Sequence, residues 1–252
     1  MSTVPEHLYR YFRYDAGMKF LEDGKLRFSS IDRYNDPFEF LVRTDYPEFF
    51  LSLHETTSED ELEMKIQKLD EAKFFVCRNI VRKKAKAYID FKKKFRLRCS
   101  SEDNNNILMW AHYAEDFRGL VISFNTSLEY WGNDFHKVCY TDHRIDFSDF
   151  AHERLAAKER ERALLKNKAS VWSYEKEWRY IKSLEYCDKD DYGYYKSISP
   201  NYIQSIIVGC KMDDCKFSNI INIIKGKYSK TKIYKIVPSI LGFSLDVKEI
   251  TL

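Results

Sequence analysis

The chain has 252 residues, of which 44% are hydrophobic and 32% charged, and its net charge is +3. This composition is typical of a globular protein and excludes a disordered chain, and the nearly balanced charge does not require a polyanionic partner. Its six cysteines include no Cys-x-x-Cys pair, so we expect reduced thiols and no metal site. It has no apolar run that would span a bilayer and no secretory signal, so we expect a cytoplasmic protein without membrane contact.

The first predicted element is a strand, HLYRYFRY, in which aromatic residues recur. Strand alternation would place Leu8, Arg10 and Phe12 on one face. A short helix is predicted next, with Asp15 as its N-cap and Gly24 as its stop. A second short strand, KLRFSS, then leads into a turn at Asn-Asp-Pro.

Residues from about 50 to 100 are predicted to form a helical insert. Ser58 and Glu61 have the spacing of a capping box, and apolar residues follow at helical intervals. A second helical stretch, VCRNIVRKKAKAYIDFKKKFRLR, is strongly basic from Arg82 to Arg98 and contains interleaved aromatic residues. Such a stretch suits nucleic-acid phosphates and bases, but it is also typical of a solvated helix face.

The rest of the chain is predicted to alternate between short strands and helices. GLVISF and IIVGC are apolar runs typical of buried strands, and SYEKEWRYIKSL, TKIYKIV and FSLDVKEI are also predicted strands. A charged helix is expected from about Ser148, whereas LMWAHYA suits either a helical turn or a strand. No repeat or linker marks a boundary, so we predict one α+β domain over residues 1–252, interrupted by the helical insert.

Two glutamates separated by one residue are the main candidates for chemistry. Glu175 and Glu177 occur within VWSYEKEWRYIKSLEY, where a strand would point both side chains to the same face. Two carboxylates so close repel each other, which should raise the pKa of at least one. The alternative is that both face water or pair with Arg179 along the strand.

Four stretches of the chain together resemble a bacterial domain family of unknown function. LYRYFR, LRFSSIDRYNDPFEF, ILMWAHYAEDFRGLVISF and VWSYEKEWR are similar, in this order, to that family's motifs L-Y-K-Y-R, F-S-S…F-N-D-P-F-E, L-M-W-S-H-Y-A…G and Y-E-K-E-W-R. IIVGC resembles its I-x-x-G strand. The resemblance extends from about Leu8 to Gly209, except for the insert.

More distantly, the pattern is similar to the ADP-ribosyltransferase fold. This resemblance implies a mixed, mostly antiparallel sheet of ADP-ribosyltransferase type and a site that grips NAD as a substrate. It implies that Glu177 stabilises the positively charged sugar as nicotinamide leaves, and that Glu175 orients or deprotonates the acceptor. The order of a basic residue, a serine and a glutamate on successive strands is matched here by Arg10, Ser29 or Ser30, and the glutamate pair.

The resemblance also implies candidates for NAD binding, which are Arg10, Ser29, Ser30, Trp110, His112 and Tyr113. The guanidinium group of Arg10 would bind diphosphate or ribose oxygens. An equal alternative is that Arg10 is a surface residue whose side chain covers the sheet. The two serines would bond a ribose or start the following turn. The Trp-His-Tyr cluster would form a pocket wall for nicotinamide or adenine, or would pack in the core.

The leading hypothesis is therefore an enzyme that releases nicotinamide from NAD and moves ADP-ribose to a protein, a nucleic acid or water. Families of this kind imply a bacterial defence or toxin effector, with an antitoxin or regulatory partner. A second hypothesis is a non-catalytic module that binds nucleic acid or a partner through the basic insert. A third is a metal-dependent nuclease whose carboxylates would be Asp36, Glu39, Glu175 and Glu177.

Overall fold

The computed structural model of the protein describes residues 3–41, 58–67, 78–146 and 157–251. The helices in these ranges are α1 Tyr14–Asp23, α2 Glu59–Gln67, α3 Arg78–Lys94, α4 Ile107–Tyr113, α5 Leu128–Trp131, α6 Ala157–Lys166 and α7 Asp214–Lys227. The strands are β1 His7–Phe12, β2 Lys25–Arg27, β3 Phe95–Ser101, β4 Leu120–Asn125, β5 Phe135–Lys137, β6 Cys139–Thr141, β7 Asn167–Ala169, β8 Glu177–Ser183, β9 Asp188–Asp190, β10 Gly193–Ser197, β11 Ile203–Val208, β12 Lys232–Pro238 and β13 Leu245–Glu249. The predicted α+β class is confirmed.

Eight strands form the main sheet, in the order β13-β12-β11-β4-β1-β3-β8-β5. Its neighbouring strands run antiparallel, except that β11 and β12 are parallel. The prediction of a mixed, mostly antiparallel sheet is therefore confirmed. Smaller sheets are formed by β2-β10-β9 and by β6-β7.

The main sheet is loosely joined between β1 and β3. β1 pairs with β4 along its whole length, and β3 pairs with β8 along its whole length. The two strands pair with each other only at Tyr9 and Ser101 among the residues described. Farther along β3, Ser29 forms an isolated bridge with Leu97. A gap therefore opens between β1 and β3 beyond their single contact.

Side-chain alternation distributes the core over both faces of the sheet. Leu8 and Phe12 pack on one face together with residues of α1 and α7, as the first strand's pattern predicted. Tyr11 packs on the other face against Trp110 of α4. A third cluster joins α2, α3 and α6 to Leu97 of β3. Packed helices and strands therefore lie around the gap between β1 and β3.

The glycines that end two of the family-like motifs permit close backbone contacts. A Cβ atom on Gly119 would clash with the carbonyl oxygen of Phe12, and one on Gly209 would clash with that of Phe117. Gly119, just before β4, and Gly209, just after β11, therefore allow the backbone to approach the neighbouring segment at positions where only a residue without a side chain fits.

The start of α1 and the end of α3 differ from the prediction. The N-cap of α1 is Arg13, and Asp15 lies in the first turn, while Gly24 ends the helix in the left-handed conformation as predicted. α3 ends at Lys94, so the last part of the predicted insert forms β3. The sequence changes there to an alternation of apolar and basic residues, F-R-L-R, which has the period of a strand.

β8, the strand predicted to contain both glutamates, begins at a later residue than predicted. Residues Ser170–Glu175 form a 3₁₀ turn, and Lys176 adopts the left-handed conformation with φ 45°. β8 therefore starts at Glu177, and Glu175 precedes the strand. The prediction that both glutamates lie on one strand is wrong, because the left-handed residue between them interrupts the extended backbone.

The ambiguous segment LMWAHYA belongs to α4, which is capped by Asn106: its side chain accepts the amide N–H groups of Leu108 and Met109. The expected charged helix corresponds to α6, but its predicted start at Ser148 lies outside the described residues. So do residues 50–57 and 68–77 of the predicted insert. No helix in the described ranges is long and apolar enough to cross a membrane.

Candidate active site

A cavity of about 260 Å³ lies at the gap between β1 and β3. Its lining includes Arg10, Ser29, Arg98, Tyr113, Glu175 and Glu177. These side chains come from β1, the segment after β2, β3, α4, the turn before β8 and the first residue of β8. The tertiary structure thus brings together groups that are distant in the sequence. Arg10 and Glu177, for example, are 167 positions apart.

The two glutamates meet at a buried lysine, although only one of them belongs to a strand. Lys168 Nζ lies 2.5 Å from an oxygen of Glu175 and 2.9 Å from an oxygen of Glu177. Each glutamate is 3% exposed, so the alternative in which both face water does not hold. The single ammonium group compensates part of the repulsion between the two carboxylates.

A second cation and a third carboxylate complete this cluster. Arg179 donates from Nε to Glu177 at 2.9 Å, from Nη1 to the carbonyl oxygen of Leu165 at 2.7 Å, and from Nη2 to Glu39. The predicted alternative of a Glu177–Arg179 pair is therefore present in the structure, and Glu177 lines the cavity as well. Because every member is buried, the removal of one charge would leave another without its partner.

Burial and neighbouring charges set the protonation of this cluster. Burial raises the pKa of Glu177, and the charge of Glu175 adds to this effect, while Lys168 opposes it. Burial alone would lower the pKa of Lys168, but the charges of Glu177 and Glu175 outweigh burial and raise it. Lys168 therefore stays protonated at neutral pH and acts as a counter-ion, not as a nucleophile.

Tyr113 connects the carboxylate cluster to the cavity wall. Its hydroxyl group donates a hydrogen bond to Glu175 at 2.6 Å and accepts one from the side-chain amide of Asn35 at 3.1 Å. The predicted Asn-Asp-Pro turn also contributes to the cavity: Asn35 lines the cavity, and Asp36 accepts the amide N–H of Phe38 within the turn.

Two arginines lie at the same cavity on the neighbouring strands β1 and β3. The guanidinium groups of Arg10 and Arg98 are 5.3 and 5.5 Å from the ring centre of Phe12. Arg10 donates to the carbonyl oxygen of Cys99, which has no strand partner on β1. Burial lowers the pKa of both arginines, and the positive charge of Arg10 lowers that of Arg98 further.

The cysteine of the cavity is not a reactive thiol. Cys99 lines the cavity and donates to the hydroxyl oxygen of Tyr34 at 3.4 Å. Burial raises its pKa far above the usual value. Since the thiolate is the nucleophilic form, nucleophilic catalysis by Cys99 has no support.

Three of the predicted binding residues lie away from the cavity lining. Trp110 is fully buried in the core and donates to the carbonyl oxygen of Asn104 at 2.8 Å. His112 is exposed, with Nδ1 3.2 Å from the hydroxyl group of Tyr174. Ser30 is the N-cap of the 3₁₀ turn Ile31–Arg33, so of the two serines it has the turn role.

The aromatic residues of the basic stretch also face the core. Tyr88, Phe91 and Phe95 are all buried in the cluster formed with α2 and α6. They are therefore not available to stack on nucleic-acid bases, although Arg98 at the end of this stretch lines the cavity. The nucleic-acid hypothesis rests on the basic charges alone.

The carboxylates considered for a nuclease are not arranged as a metal site. The described residues contain no group of three or more His, Cys, Asp or Glu side chains that could hold a metal ion. Glu175 and Glu177 are bridged by Lys168, and Glu39 bonds Arg179. Each of these three carboxylates is therefore already paired with a cation of the protein itself.

Sequence reasoning missed Lys168 as a site residue and considered Arg98 only as part of a basic run. Lys168 stands seven positions before Glu175, and it reaches the glutamates because the chain turns between them. The alternation F-R-L-R was the available signal for Arg98, since it predicts a strand in place of a helix end.

Comparison with known proteins identifies part of the chain. Residues 109–180 match the model of the family "Protein of unknown function (DUF2971)". The predicted resemblance to a family of unknown function is confirmed over this range. It extends from α4 to β8 and includes Tyr113, Lys168 and both glutamates, whereas Arg10, Ser29 and Arg98 lie before it. Curated proteins gave no match, and neither did solved structures.

Proposed function

We propose that the protein is an ADP-ribosyltransferase-like enzyme that cleaves the nicotinamide–ribose bond of NAD. The observation that supports this proposal is that Arg10, Ser29 and Glu177 line one cavity. Such a ligand requires cationic donors for its diphosphate and a carboxylate for the sugar, and the cavity offers both. The volume of about 260 Å³ is near the lower end for small-molecule sites, so the cavity would hold the reacting end of the dinucleotide.

In the proposed reaction, the bond between ribose C1′ and the nicotinamide nitrogen breaks, and its electron pair leaves with neutral nicotinamide. Positive charge then develops on the ribose ring. The ionised carboxylate of Glu177 stabilises this charge, and it does so in a partly desolvated site where electrostatic interactions are strong. Lys168 and Arg179 hold that carboxylate in one position.

Glu175 is assigned to the acceptor. It accepts a hydrogen bond from Tyr113 and is bound by Lys168, so its orientation is fixed at the cavity wall. As a carboxylate it orients the attacking hydroxyl group or water and takes its proton when the new bond to C1′ forms. With water as the acceptor, the products are ADP-ribose, nicotinamide and a proton.

The test is to incubate the purified protein with NAD labelled in its nicotinamide and, separately, in its adenosine moiety, together with protein, RNA or DNA. Released nicotinamide and a labelled acceptor, or free ADP-ribose, are the expected products. Glu177→Gln should lower the rate by about 100-fold or more, since it removes the charge opposite the developing cation. Glu185→Gln alters an exposed glutamate outside the cavity and should leave the rate unchanged.

Thermal unfolding and circular dichroism of each variant must accompany the assay, because Glu177 also belongs to a buried charge cluster. Full activity in a folded Glu177→Gln variant would contradict the assigned role. The absence of nicotinamide release with every acceptor and with water would contradict the proposed reaction.

A further inference from the structure

The half-buried arginine pair of the cavity differs from the buried cations Lys168 and Arg179 in having no ion-pair partner among the residues that the structure describes. Lys168 and Arg179 both form ion pairs with glutamates. Within the described part of the chain, neither Arg10 nor Arg98 forms an ion pair. The Nε atom of each is buried and has no hydrogen-bond partner in the described ranges.

Two guanidinium groups on adjacent strands, neither of them in an ion pair among the described residues, are electrostatically unfavourable for the protein alone. Both lie over the same Phe12 ring, and the charge of Arg10 lowers the pKa of Arg98. The two positive charges repel each other, and their partial burial weakens the screening of this repulsion by water. A bound anion would remove this repulsion.

The surroundings of the pair supply further donors suited to oxyanions. Ser29 and Ser100 line the same cavity, and each carries a hydroxyl group. Guanidinium groups bind phosphate oxygens through paired N–H donors, which gives both affinity and orientation. Phe12 and the surrounding strands hold the two groups in place, so little side-chain entropy is lost when a ligand binds.

We propose that Arg98 acts with Arg10 as a clamp for a phosphate or diphosphate group, so that the ligand of this cavity is a phosphorylated compound. The proposal deepens the proposed function, on which it rests only in taking this cavity as the ligand site. It adds a residue on β3 that neither the family-like motifs nor the matched range 109–180 include.

The test is a titration calorimetry series with inorganic pyrophosphate, ADP and adenosine at constant ionic strength. Pyrophosphate and ADP should bind the wild-type protein, and adenosine should bind much more weakly. Arg98→Met should weaken the binding of pyrophosphate and ADP by about tenfold or more, because it removes one charge-assisted contact.

Arg96→Met is the matched control. Arg96 lies two residues away on the same strand, outside the cavity lining, and donates to the carbonyl oxygens of Lys93 and Phe95. This variant removes the same net charge, so it should retain the wild-type affinity for pyrophosphate. Equal losses in both variants would show a general charge effect and overturn the clamp.

Thermal unfolding provides a second measurement that does not depend on enzyme activity. Without ligand, Arg98→Met should be at least as stable as the wild type, since it relieves the repulsion from Arg10. Pyrophosphate should raise the unfolding midpoint of the wild-type protein by more than that of the variant. An equal rise in both proteins, or no binding of pyrophosphate by the wild type, would refute the inference.

The two proposals fail separately. Arg98-dependent binding of pyrophosphate without nicotinamide release would retain the clamp and reject the cleavage of NAD. Nicotinamide release with an unchanged KM for NAD in Arg98→Met would support the reaction and reject the clamp.

Discussion

The protein has two regions rich in basic residues, and they differ in how their charges are paired. On α3, Arg82 forms an ion pair with Glu63 at 2.6 Å, Lys86 with Glu59 at 2.6 Å, and Lys94 with Glu161 at 2.9 Å. At the cavity, Arg10 and Arg98 have no ion-pair partner among the described residues. These three charges of α3 are therefore compensated by acidic neighbours, whereas the two cavity arginines form no ion pair within the described part of the chain.

This difference shows that the number of basic residues does not identify a binding site. Charges on an exposed helix cost little free energy of folding, because water and acidic neighbours compensate them. A partly buried pair of like charges destabilises the fold unless a ligand compensates it, so its presence is the stronger indication of function. The cavity is for this reason a better candidate for an anionic ligand than α3.

The largest expected effect is on the free energy of unfolding, when a buried ion pair is broken instead of an exposed one. Lys168→Met leaves two buried glutamates without their ammonium partner and should lower the free energy of unfolding by about 3–5 kcal/mol. Lys86→Met on α3 removes a lysine that is exposed together with its partner Glu59, and should leave this free energy nearly unchanged. Urea unfolding of both variants provides the measurement. Similar values for the two would mean that burial of the cluster is not what makes Lys168 important.

A second test compares one glutamate from each region by pH titration. Burial and Glu175 raise the pKa of Glu177 above 4.5, whereas the hydrogen bond and charge of Lys86 lower that of Glu59 below 4.5. Carboxyl ¹³C NMR should therefore give midpoints on opposite sides of this value. Lys168→Met should raise the midpoint of Glu177 further, and Lys86→Met should return that of Glu59 toward 4.5.

The same shifts have opposite consequences for stability. The contribution of Glu59 is present above pH 4.5 and is lost as the pH falls through its lowered pKa. The contribution of Glu177 is fully present below pH 4.5 and is lost as the pH rises through its raised pKa. Midpoints that coincide in the folded protein would contradict this contrast.

The smallest expected effect concerns nucleic acid. Because Arg82 and Lys86 each form an ion pair and the aromatic residues Tyr88 and Phe91 of α3 are buried, Arg82→Gln combined with Lys86→Gln should change the affinity for single-stranded RNA or DNA by no more than about twofold. Gel-shift titrations over a salt series test this expectation. A loss of tenfold or more, together with a reduced salt dependence, would instead favour the nucleic-acid module considered from the sequence.

Local patterns predicted those elements whose faces and ends depend on residues adjacent in the sequence. The alternation in HLYRYF predicts β1 and its faces, and Gly24 predicts the end of α1. The pattern was insufficient near Glu175, because a single left-handed residue, Lys176, separates a 3₁₀ turn from a strand without any glycine to indicate it. The exposed His112 and the buried Trp110 likewise share one motif but lie in different environments.

The sequence by itself determined the α+β class, the family-like motifs and the glutamate pair as a candidate. Only the tertiary structure decided that Lys168 lies between those glutamates and that Arg10 and Arg98 face one cavity without forming an ion pair to any described residue. The physical reason is that propensity and periodicity act over a few neighbouring residues. The pairing of charges depends on which distant strands lie side by side and on how much water remains between them.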